Sequence, residues 1–497
     1  MQTRHLAKDL SLLVLFTAAA VLVHGYHPGT EDDCVYLSAI KQDLRPELYP
    51  HDSDFFSLQS QATVFDRLIA GSISLTRLPV EWAVLLWHVA SIILVIWGCW
   101  RVSRRCFAEP YAQWAGVALV SALLTLPVAG TALYLVDQYL HPRALATAVI
   151  LAAIVAVLDR RRVVAGALLA LALTIHPIMA ALGISFCFFL DFSLAGQSRM
   201  DRGSGAPQYP ASTALAAIAP LGWVFEPVSD AWRQAANHSN YYFLSRWQWY
   251  EWVGVFAPLA LLWWVRRTSL RNGSAMAARV SSSLVWYGSF QFLIALLILT
   301  PHRLERLRSL QPMRYLHLLY LLAALIGGGV IGQRILRRHA WRWILLFLPL
   351  AAGMFYVQRQ LFSGTEHLEL PGRATRNPWV AAFQWASRNT PTDALFALDP
   401  QYVRSAGEDF HSFRAISERG MLADAVKDAP VVTQVPRLAK EWQDETEARA
   451  GWGRFQKADL ERLRARYGVT WVVLERPGVA GLDCPFQNDR LLVCRLN

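Results

Sequence analysis

Charge is what this sequence lacks. Charged residues make up 17% of the 497, against about 25% in ordinary soluble proteins. Motifs are missing too: there is no Walker loop, GxSxG or HExxH. ATP-driven transport and serine-hydrolase chemistry therefore have no local support. Six cysteines with no CxxC pair argue against a structural zinc site. What is abundant is apolar: 54% hydrophobic residues, with 20 tryptophans.

The apolar residues are concentrated. Residues 1–357 hold long apolar runs separated by short basic clusters, while 358–497 read as an ordinary soluble chain. At about 20 apolar residues per crossing, the pattern predicts about eleven transmembrane helices. They lie near 8–26, 80–100, 113–136, 143–158, 162–176, 177–194, 212–226, 251–266, 279–300, 313–333 and 341–357. The fold class expected is an α-helical polytopic membrane protein with a small C-terminal α/β domain. Arg101, Arg104 and Arg105 follow the second run, and Arg160 to Arg162 the fourth. Arg199 and Arg202, Arg266 and Arg267, then Arg334 and Arg337 follow the sixth, eighth and tenth. By the positive-inside rule the N-terminus is cytoplasmic, and the C-terminal domain is periplasmic if the membrane is a bacterial inner membrane. The net charge of +11 is then that of cytoplasmic loop ends, not of a nucleic-acid face.

The first outer loop, 27–79, carries the densest chemistry. Glu31, Asp32 and Asp33 follow the first run directly, and His51, Asp52 and Asp54 come about twenty residues later. A carboxylate at the membrane edge can act as general base on a hydroxyl or amine. A like-charged neighbour raises one pKa, and paired acids can hold a divalent cation. Against this, an acidic triplet is commonly a helix cap. The spacing of Val64, Leu68, Ile69, Ile73 and Leu75 predicts an amphipathic helix along the interface. The other outer connections gather more polar residues: Asp137, His141 and Arg143, then His176, then His302. The loop 301–314 opposes the charge rule with Arg303, Arg306, Arg308 and Arg314, so an anionic group such as a lipid phosphate would account for them. The segment 245–252, rich in Trp, reads as an interfacial belt.

In the C-terminal region the pattern predicts helices at 378–389 and 457–467, with strands at 394–398, 469–474 and 491–496. Cys484 and Cys494 are expected to pair if the compartment is oxidising.

A first helix, a long outer loop opening on Glu31-Asp32-Asp33, many further helices and a C-terminal outer domain together resemble the GT-C superfamily. Its members are integral membrane glycosyltransferases that use polyprenyl-phosphate-linked sugars, and the run 31–54 looks most like bacterial members without assigned activity. The resemblance implies a catalytic acid in the first outer loop, at Asp33 or Asp32, with Asp33 the first choice. It also implies further polar residues at Asp137, His141 and Arg143, and a donor-phosphate arginine among Arg303, Arg306 and Arg314. The WWD-type motif of oligosaccharyltransferases is absent. The expected activity is inverting sugar transfer to an extracytoplasmic lipid or glycan. No cofactor is implied beyond a possible divalent cation. A lipid or polysaccharide transporter or flippase is the alternative.

Overall fold

The computed structural model describes residues 2–200, 226–271 and 273–496. Among the described residues, fourteen α-helices form the membrane part and its outer loops. They are α1 (Gln2–His24), α2 (Asp33–Leu44), α3 (Asp54–Ser60), α4 (Phe65–Thr76) and α5 (Val80–Cys106). Next come α6 (Pro110–Ala122), α7 (Pro142–Leu158), α8 (Arg162–Ile175), α9 (Pro177–Met200) and α10 (Asp230–Asn237). The last four are α11 (Trp249–Arg271), α12 (Ala275–Leu299), α13 (Tyr315–Ile331) and α14 (Ala340–Leu361).

Six of the described helices are long and apolar enough to cross a bilayer: Ala7–His24, Val80–Cys106, Pro177–Ala195, Ala275–Leu299, Pro312–Leu336 and Ala340–Leu361. The chain is an integral membrane protein. Of the eleven expected crossings, the described runs 113–136, 143–158, 162–176 and 251–266 are not among these six. Helices α7 and α8, of 17 and 14 residues, fall short of a full span. The run 113–136 is not one helix: α6 stops after 13 residues. From Leu123 the chain turns through a short bridge between Pro127 and Tyr134. Ala129 and Ala132 there take left-handed φ of 41° and 54°. Irregular backbone at such depth is tolerated only where protein covers it or it lines a cavity, and Leu133, Leu135 and Val136 are buried. The run expected at 212–226 lies outside the described residues except for Glu226.

Helix α13 is the centre of the bundle; 83% of its apolar window is buried, against none of α14's. Its glycines permit this. A Cβ on Gly328 would meet the backbone of Ala115 and Gly116 at 2.9 Å, and one on Gly116 would meet Leu325 O at 2.3 Å. Close backbone approach through small residues drives helix association in lipid. One face of the bundle ties the basic ends together. Arg105 Nε donates to Asp159 at 2.8 Å, Arg160 to Leu194 O at 2.6 Å and Arg162 to Asp191 at 3.0 Å. The ends of the second, fourth and sixth expected runs therefore share one side.

The C-terminal part adds α15 (Pro378–Asn389), α16 (Phe413–Ser417), α17 (Asp428–Gln434), α18 (Ala439–Ala448) and α19 (Lys457–Tyr467). Its strands are β1 (Leu395–Ala397), β2 (Gly420–Met421), β3 (Trp471–Glu475), β4 (Asp483–Gln487) and β5 (Leu491–Arg495). They make one sheet in the order β2-β1-β3-β5-β4, parallel from β2 to β3 and antiparallel beyond. Apolar clusters cover both faces, around Phe396 and Phe413 on one and around Leu460 and Val472 on the other. Cys484 and Cys494 form a disulfide between β4 and β5. Not all of this region belongs to the sheet. Val431, Val432 and Trp442 of α17 and α18 pack into the large core cluster that also holds the outer-loop helices.

Candidate active site

Two backbone seams fix the loop between α1 and α2. Tyr26 exchanges backbone bonds with residues after α14: Tyr26 N donates to His367 O at 3.0 Å and Glu369 N to Tyr26 O at 2.9 Å. His27 N donates to Gln138 O at 2.8 Å, and Ser412 N to Gly29 O at 2.7 Å. Glu31, with a left-handed φ of 51°, donates its N–H to Phe410 O at 2.9 Å. Its carboxylate forms an ion pair with Lys427 of the C-terminal part.

Consecutive residues at a helix start point about 100° apart, so Asp32 and Asp33 cannot share a task. Asp33 turns inward: it is buried, and its Oδ2 accepts from Gly29 N at 2.7 Å. Burial pushes its carboxyl well above the usual range, opposed by the Gly29 hydrogen bond and helped by Asp32. Asp32 turns outward. Its side chain is 49% exposed and lines a half-open cavity of about 610 Å³.

The cavity is lined from distant parts of the chain. Glu31, Asp32 and Tyr36 come from the first outer loop; His141 and His176 cap α7 and α8. Tyr241, Gln311 and Arg314 come from later loops, and Lys427 from the C-terminal part. His141 Nδ1 accepts from Arg143 N at 3.0 Å, so the proton of the neutral ring sits on Nε2. Nε2 lies 3.3 Å from Asp32 Oδ2 and 3.3 Å from Arg143 Nη2. Burial, then the Arg143 charge, lowers His141 below its ordinary value, which agrees with the neutral tautomer. Arg143 Nη2 lies 3.2 Å from Asp137 Oδ2 and 3.9 Å from Asp32 Oδ2. Burial would raise the Asp32 carboxyl. The His141 hydrogen bond and the charges of Arg143 and Arg314 overcome it and hold Asp32 at about 2. Arg314 Nε and Arg143 Nη1 are buried without a partner among the described residues.

Other sequence candidates lie elsewhere. His302 is 93% exposed in its side chain and Arg303 is exposed. Arg306 pairs with Glu226, and Arg308 lies over Phe243 at 5.1 Å. His51 and Asp54 are exposed, with Asp54 3.5 Å from Arg437. Asp52 belongs to a separate acidic group: its carboxylate and those of Glu441 and Glu445 lie within 4.8 Å of one another. Those three could hold a divalent cation. Burial raises Asp52 to about 6, with Arg414 opposing and Glu441 adding to the shift. Of the aromatic segment, Trp249 and Tyr250 are exposed as a membrane belt would be. Trp247 instead packs over Gly130, where a Cβ would meet its ring at 2.5 Å. Lys427, Tyr36 and Gln311 were not singled out from the sequence. Lys427 meets Glu31 across 396 positions, a separation that leaves no local signal.

No family model matches the sequence, and no curated protein matches it. A solved structure of the arabinofuranosyltransferase AftD from Mycobacteria is similar, at a TM-score of 0.48 and 14% identity; the match covers 97% of this chain and spans 41% of that one.

Proposed function

We propose that this protein is an integral membrane glycosyltransferase of GT-C type, transferring a sugar from a polyprenyl-phosphate donor to a hydroxyl of an extracytoplasmic lipid or glycan. One observation carries the reading. Asp32 and Arg314, 282 positions apart by their numbers, line the same cavity. There a base and a phosphate-holding cation can act on one sugar.

In this reaction the acceptor oxygen attacks the anomeric carbon as Asp32 Oδ takes its proton. The bond from that carbon to the phosphate oxygen breaks, and the electron pair leaves with the polyprenyl phosphate. The configuration inverts. Arg314 faces the charge that develops on the leaving phosphate, where preorganised donors contribute most. Arg143 and His141 orient Asp32. At about 2 the carboxylate is a weak base in the free protein. A bound phosphate would offset Arg314 and raise it, so base strength would be gained when the donor arrives. On this reading the basic face with Arg105 and Arg162 is cytoplasmic and the cavity periplasmic. The Cys484–Cys494 disulfide fits an oxidising outer compartment.

The test is transfer from a polyprenyl-phosphate sugar in purified membranes. Asp32→Asn is expected to lower turnover by about a hundredfold or more; turnover equal to wild type rejects the mechanism. The transporter alternative would show movement of labelled lipid across vesicles without any glycosidic product.

A further inference from the structure

We propose that the acceptor is a saccharide chain, held in a track that leaves the Asp32 cavity along the seam between α10 and the C-terminal part; this rests on the transferase reading above. His238 carries the geometry. It lines the Asp32 cavity and also two outer cavities of about 530 and 510 Å³. Asn240 is shared by the Asp32 cavity and the first of these, and Gln234 by the two outer ones. The opposite wall is the C-terminal part: Arg404 in one outer cavity, Gln401 and Trp452 in the other. Each space lies within the range of about 300–1,000 Å³ that takes a drug-sized ligand. Three in succession exceed what a single acceptor hydroxyl needs.

The lining says what the occupant is. Side-chain amides, an imidazole, guanidinium groups and carboxylates face each other across the seam, the donors and acceptors that vicinal hydroxyls require. Buried Trp442 and Trp452 back this wall, and the His238 ring meets Trp442 edge-on at 5.5 Å. Peptides that add a strand to a sheet bind at its free edge. None of the residues lining the outer cavities lies in a strand. Acids and bases are mixed there, with Asp230, Asp399 and Glu447 against Arg233, Arg404 and Arg454, which suits an uncharged or weakly charged polymer.

The experiment uses the full chain in lipid nanodiscs over an array of immobilised neutral and acidic oligosaccharides of graded length. Binding to one saccharide class that strengthens with length is expected. Gln401→Ala with Arg404→Ala should weaken it about tenfold, the worth of two modest hydrogen bonds, with the melting temperature unchanged. His238→Gln, on the facing wall, should act in the same direction. Asp32→Asn should bind the array as wild type does while failing to transfer sugar. If it transfers normally, the catalytic reading falls and the saccharide track stands. A silent array, binding indifferent to all three track substitutions, or capture of members of a peptide library alone overturns the track.

Discussion

Asp32 and Asp33 differ by one position and by everything around them. Asp33 is a buried acceptor for the Gly29 N–H, so Asp33→Asn keeps an oxygen for that bond and removes a charge that burial disfavours. It is expected to retain transfer within about threefold, whereas Asp33→Ala orphans Gly29 N and should cost about 1–3 kcal/mol of stability. Thermal melts and transfer assays on the pair separate these outcomes, and loss of transfer in a stable Asp33→Asn would shift the base from Asp32 to Asp33. The sequence shows two adjacent acids and no means of choosing between them; the choice lies in which one the loop turns inward. Among the arginines of the loop 301–314 the same holds. Arg306 and Arg308 are engaged by Glu226 and Phe243, and Arg314 lines the cavity. Arg314→Ala should raise the KM for the donor more than Arg303→Ala does, which donor titration would show.

At the scale of elements, a part-buried carboxylate joins three of them. Glu369, after α14, lies 2.7 Å from His27 after α1 and 3.2 Å from His411 before α16. Burial would neutralise both partners of the second pair, but each charge holds the other: Glu369 falls to about 2 and His411 rises to about 9. The His411 contribution is whole below its unfolded value of about 6.5 and is lost as pH rises through about 9. The Glu369 contribution is whole above its unfolded value of about 4.3 and is lost as pH falls through about 2. Melting temperature should therefore plateau between about pH 4.5 and 6.5 and decline on both sides. Glu369→Gln should destabilise by about 3–5 kcal/mol, because it leaves His411 buried without its counter-charge, and should abolish the alkaline decline. A pH series of melts that keeps that decline in the variant would remove Glu369 from this role. None of this junction was legible beforehand, since its members stand 342 and 42 positions apart. Helix α19 was, because its apolar residues repeat at helical spacing and Gly468 stops it with a φ of 76°.

For the whole molecule, orientation in the membrane is the decisive property. With the basic bundle face inside, Arg466→Cys on exposed α19 should react with a membrane-impermeant maleimide in intact cells, and Arg271→Cys should react only after lysis. The reverse pattern would put Asp32 and its cavity on the cytoplasmic side and end the proposed extracytoplasmic reaction. The molecule's two parts are also less separate than the charge pattern of the chain suggests. Helices α17 and α18 share the core cluster of the outer loops; Trp232 Nε1 donates to Thr433 O at 3.1 Å, and Tyr242 OH meets Thr433 Oγ1 at 2.6 Å.

By itself the sequence determined the membrane class, most helix positions, the basic face and three of the five C-terminal strands. Those follow from local hydropathy and periodicity, which act over a few turns of chain. Tertiary structure decided where α6 stops, which acid meets the cavity, which arginine joins it and that Lys427 closes one wall. Each of these depends on packing between segments distant in the chain, and composition at one position carries no record of the neighbour that burial will supply.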